Sequence, residues 1–77
     1  MTIHQLKKFL KENKIQFKIF NNHFNGVMFD TKNLNIVRNK FSYGSENGFF
    51  EIQNKNNNEI EILKNNLLKK YIMYWSK

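Results

Sequence analysis

Seventy-seven residues carrying a formal net charge of +7 are enough for one domain with one core, and no more. The chain has no cysteine, which excludes a disulfide framework and a thiolate metal site; its eight Phe, three Tyr, one Trp and eight Ile must stabilise it by packing alone. Lysines at positions 7, 8, 11, 14 and 18 interrupt every apolar run near the start, so neither a membrane span nor a signal sequence is expected, and residues 1–77 read as a single cytoplasmic domain.

Thr2 and Gln5 spell a capping box ahead of Ile3, Leu6, Phe9 and Leu10, which predicts a helix over residues 3–13 that stops at Asn13. Its apolar members share one side, while His4, Lys7, Lys8, Lys11 and Lys14 gather on the other. From Ile15 the period becomes two: Ile15, Phe17 and Ile19 face one way, Gln16 and Lys18 the other, as in a strand. A turn is expected at Asn21-Asn22, then a second strand from Phe24 to Phe29 with Gly26 as a bulge. A turn at 30–33 leads to a third strand through Leu34 and Ile36. Phe41 and Tyr43 suggest a fourth, and Asn47-Gly48 is a hairpin turn ahead of Phe49–Ile52.

After the polar stretch 54–58, two patterns compete. Asn58 with Glu61 resembles a second capping box opening a long helix, whereas Glu59–Ile62 alternates as a strand that would pair back on residues 49–53. Either pattern gives helix from about residue 64. The fold class expected is therefore α+β: one antiparallel sheet of three to five strands, with an N-terminal and a C-terminal helix packed on it.

No residue set for catalysis emerges. His4 and His23 have no serine, cysteine or carboxylate beside them to form a triad, and Gly26, Gly44 and Gly48 are too dispersed to cradle a phosphate. No metal or cofactor motif is present in the sequence. A two-histidine ribonuclease would need the fold to bring His4 and His23 together.

The binding signals are charge and aromaticity. The helix stripe of His4, Lys7, Lys8, Lys11 and Lys14, extended by Lys18, Lys32 and Arg38, is a candidate partner- or phosphate-binding face; residues 1–38 carry a net +5 against +2 for the remainder. Fourteen Asn and twelve Lys, with no Ala or Pro, are also what AT-rich codons supply, so the lysines have a compositional reading beside the functional one. Phe20 and Phe24 fall out of step with their strands and are candidate aromatic contacts for bases. Tyr71, Ile72, Met73, Tyr74 and Trp75 make the last helix apolar nearly all round, either as a helix end buried on the sheet or as a protein interface, including a homodimer.

The opening Met1-Thr2-Ile3 with Leu6, then Phe9-Leu10-Lys11 and Ile15-Gln16-Phe17-Lys18-Ile19, resembles the layout of small phage-encoded proteins, some anti-CRISPR proteins among them. The resemblance covers about a quarter of the chain and implies a non-catalytic inhibitor that docks on a host nucleic-acid-handling protein or nucleoprotein complex. The basic charge departs from the DNA-mimic form of that strategy, which needs an acidic surface. Direct RNA or DNA binding through sequence-independent phosphate contacts is the alternative, and a small ribonuclease toxin a third reading.

Overall fold

Side chains on a pleated strand alternate between its two faces, and that alternation divides this protein into a covered side and an open one. The computed structural model describes residues 2–22, 26–38, 50–63 and 65–76. Helix α1 (Ile3–Glu12) leads into strands β1 (Phe17–Asn22), β2 (Gly26–Thr31), β3 (Leu34–Arg38), β4 (Phe50–Asn54) and β5 (Ile60–Leu63), and helix α2 (Asn65–Trp75) follows. The strands lie in the order β1-β2-β3-β4-β5 with every neighbouring pair antiparallel. The expected α+β architecture is thus present, with five strands in the sheet.

Each end of α1 follows from local chemistry. The Gln5 N–H donates to Thr2 Oγ1 at 3.1 Å and the Thr2 N–H to Gln5 Oε1 at 2.8 Å, completing the capping box. At the other end the chain makes a Schellman turn: Ile15 N–H bonds to Leu10 O at 2.9 Å and Lys14 N–H to Lys11 O at 3.1 Å. The left-handed residue this motif requires is Lys14, with φ of 59°.

The register shows what the sheet faces. The rows Phe17–Thr31, Ile19–Phe29–Ile36–Ile52–Glu61 and Val27–Arg38–Phe50–Leu63 share one face. Nearly all of their apolar members belong to one core with Leu6 and Leu10 of α1 and Leu68, Ile72 and Trp75 of α2. Both helices therefore cover the same face, with α2 packed on β4 and β5.

Several expectations need correction. Of the two patterns after residue 58 the strand is the one formed, as β5 (Ile60–Leu63), so Asn58 does not cap a helix; its φ of 61° instead closes the β4–β5 turn, where its N–H bonds to Asn54 O at 2.8 Å. The sheet does not turn at Asn21-Asn22, because those residues pair with Val27 and Gly26 and carry β1 onward. Arg38 does not extend a basic surface. It points into the core, fully buried, with its guanidinium 4.5 Å from the centre of the Phe50 ring. Desolvation pushes its pKa below the ordinary value, and the ring face offsets part of that cost to a cation.

The C-terminal aromatic segment is divided between two roles. Ile72 and Trp75 are core, and Tyr71, half-buried, meets Trp75 edge-on with ring centres 5.2 Å apart. Met73 and Tyr74 are exposed. The segment is thus not one continuous interface, because the turn of the helix buries every third or fourth residue. The expected strand at Phe41 and Tyr43, the Asn47-Gly48 turn, His23 and Phe24 lie outside the described residues.

Because Leu6 and Leu10 are fully buried, replacing either by Ala should destabilise the fold by about 2–5 kcal/mol. Urea denaturation checks this, and unchanged midpoints for both variants would contradict the packing of α1.

Candidate functional site: a lysine-lined cleft at one end of the sheet

An antiparallel meander brings alternate strand ends to the same side. Here the starts of β1 and β3 and the ends of β2 and β4 meet at one end of the sheet, since Phe17 pairs with Thr31 and Leu34 with Asn54. The end of α1 arrives there too, because residues 13–16 connect it directly to β1. Lysines from five separate segments converge as a result: Lys11 from the last turn of α1, Lys14 from its Schellman turn, Lys18 from β1, Lys32 from the β2–β3 turn and Lys55 from the β4–β5 turn. They line an open cleft of about 1100 Å³ together with Ile15, Gln16, Phe17, Asp30, Thr31, Asn33 and Ser76.

The floor of this cleft is built from fixed polar contacts. Thr31 Oγ1 accepts from Leu34 N–H at 2.9 Å and donates to Leu34 O at 3.2 Å, closing the two-residue turn Lys32-Asn33 without a left-handed residue. The β4–β5 turn is closed by Asn54 N–H to Glu59 O at 2.8 Å, and by the side chains of Asn54 and Asn57, which accept from Asn56 and Glu59 N–H. The asparagines are thus turn-forming acceptors rather than an unstructured polar run. Lys55 joins the two turns: its N–H donates to Asn33 O at 2.9 Å, and its ammonium donates to Thr31 O at 2.6 Å and forms an ion pair with Asp30. Asn33 Nδ2 reaches Ser76 O at 3.1 Å and ties the end of α2 to the same cluster.

The electrostatic consequence follows from that ion pair. Asp30 is the one carboxylate lining the cleft among the described residues, and Lys55 neutralises it. Lys11, Lys14, Lys18 and Lys32 remain, all exposed and in no ion pair among the described residues. Four ammonium groups around one concavity raise the local concentration of anions and suit several phosphates on one chain better than a single compact ion. Lysine, a point charge with rotatable donors, imposes no bidentate geometry on the anion it meets.

Of the basic residues singled out in the sequence, Lys11, Lys14, Lys18 and Lys32 come together in the cleft. His4, Lys7 and Lys8 continue along α1 beyond its lining; Lys8 lies 3.9 Å from Glu12 in an exposed i,i+4 pair, an interaction worth little in water. Arg38 is in the core. Lys55 is missing from the residues that charge patterning singles out, yet the strand reading of Glu59–Ile62 contains the signal, since a hairpin through 54–58 puts Lys55 at the same end of the sheet as Lys32. Among the described residues no three His, Asp or Glu side chains group closely enough to hold a metal ion, and no helix is long and apolar enough to cross a membrane. Comparison with protein-family models, with curated proteins and with solved structures gives no match.

Lys14 occupies a backbone conformation that costs a side chain bearing Cβ about 1–2 kcal/mol and glycine almost nothing. Lys14→Gly should therefore raise stability by up to about 1 kcal/mol once glycine's own entropic cost of roughly 0.5–1 kcal/mol is subtracted. A lower urea midpoint in the variant would contradict the left-handed assignment.

Proposed function

We propose that this protein is a non-catalytic binder of nucleic acid, holding the phosphate backbone in its lysine-lined cleft without reading sequence. The observation that carries the reading is the convergence of Lys11, Lys14, Lys18 and Lys32 from four segments on one concave surface whose acid, Asp30, is already paired. Codon composition accounts for many lysines, but not for their meeting around one cleft while Glu51, Glu59 and Glu61 are carried by β4, β5 and the turn between them. The composition of the cleft supports affinity over specificity: its lining has no arginine fork for bidentate base contacts among the described residues.

A second reading is an inhibitor of phage or anti-CRISPR type, docking on a host protein or nucleoprotein complex. Exposed Ile60 and Ile62 on β5, and Leu67, Met73 and Tyr74 on α2, favour it, since apolar side chains of this size suit the centre of a protein interface. In that reading the cleft meets an acidic patch or the nucleic acid of the complex.

Fluorescence anisotropy with labelled RNA and DNA across a salt series separates the two. Phosphate binding should weaken linearly in log Kd against log salt, and the triple variant Lys11→Gln, Lys18→Gln, Lys32→Gln should lower that slope by about 2–3 if three phosphate contacts are lost. The variant should keep its melting temperature, because all three side chains are exposed. Wild-type protein that binds no nucleic acid at low salt would overturn the first reading, and capture of an acidic protein partner that depends on these lysines would support the second.

A further inference from the structure

We infer that the nucleic acid held by the cleft is single-stranded, with a base stacked on Phe20; this rests on the phosphate-binding reading above. The open face of the sheet supplies the observation. The face that neither helix covers carries the cross-strand row Phe20–Met28–Val37 over β1, β2 and β3, in register. Phe20 is 48% exposed at the edge of the sheet, and Met28 and Val37 are half-buried beside it.

This apolar row adjoins the cleft through one residue. Lys18 lines the cleft and lies on the same face of β1 as Phe20, two residues away, or about 7 Å along the strand. Its cross-strand neighbour Asp30 is held by Lys55, which leaves the Lys18 ammonium to an outside anion. A phosphate at Lys18 thus brings the attached nucleotide within reach of the Phe20 ring.

The rest of the face sets the direction. Past Val37 the row continues to Glu51, an exposed acid on β4, which repels a phosphate chain and confines it to the β1–β3 side. A duplex keeps its base faces inside its own stack and can offer this surface only its backbone. A single strand offers both a phosphate for Lys18 and a base face for Phe20, and every base has such a face, in keeping with a lysine cleft that does not read sequence.

The test compares three labelled probes of about a dozen units, within the site sizes of single-strand binders: an oligothymidylate, an abasic sugar-phosphate chain and a duplex. Wild-type protein should bind the oligothymidylate roughly 5- to 150-fold more tightly than the abasic chain. Phe20→Ala should reduce the first affinity to the second and leave abasic binding unchanged, whereas Phe20→Trp should retain the preference. Equal binding of the oligothymidylate and the abasic chain, or a preference for the duplex, would overturn the single-strand inference and leave the phosphate cleft standing. Failure to bind any of the three would overturn both. The probe comparison needs only the wild-type protein, so its outcome does not depend on how well any variant folds.

Discussion

A sheet built on alternating side chains has two faces, and the described residues supply two short helices with which to cover them. Both go to the same face. Leu6 and Leu10 from one, and Leu68, Ile72 and Trp75 from the other, close over Val27, Phe29, Ile36, Phe50 and Ile52 in an arrangement that dries the larger apolar surface. The cost is that the opposite face is left without a helix, and its composition is mixed: Lys18, Asp30, Asn35, Glu51 and Gln53 stand beside Phe20, Met28, Val37, Ile60 and Ile62. Core, cleft and open face are therefore consequences of one allocation.

The cleft depends in turn on how the sheet is fastened at one end. Lys55, Asp30, Thr31 and Asn33 bind two turns to each other, and Ser76 adds the end of α2. That cluster fixes the positions from which Lys18 and Lys32 project, and it removes the negative charge that would have held a neighbouring lysine inward. A polar floor tied by hydrogen bonds, with exposed ammonium groups above it, is the arrangement on which the proposed phosphate binding rests.

Periodicity makes much of the fold legible. The capping box at Thr2 and Gln5, the switch from helical to alternating spacing at Ile15, and the competition between helix and strand at Glu59–Ile62 can all be read from residue types. The competition cannot be decided there, because Ile60 and Ile62 suit either structure and only pairing of β5 with β4 selects the strand. Arg38 misleads for a related reason: arginine is nearly always a surface residue, although the alternation through Leu34 and Ile36 already puts position 38 on their face, and the register then sets it beside Phe50 and Val27. The lysines are visible as a stripe along α1, but their convergence with Lys32 and Lys55 is a property of the meander, which no local pattern encodes.

That meander also shapes the route to the folded state. Among the described residues each strand pairs only with its neighbours in sequence, and the turns at Lys32-Asn33 and residues 55–59 are short, so the pairings β2–β3 and β4–β5 close small loops at little entropic cost. Pairing of β3 with β4 must close the longer span of residues 39–49, and it is also the contact that sets Ile36 against Ile52 and Arg38 beside Phe50. The β3–β4 seam therefore joins two parts of the sheet whose own pairings are local in sequence. Because the core rows cross that seam, neither part holds a complete hydrophobic centre without the other, and the single buried cluster ties the local hairpins into one unit.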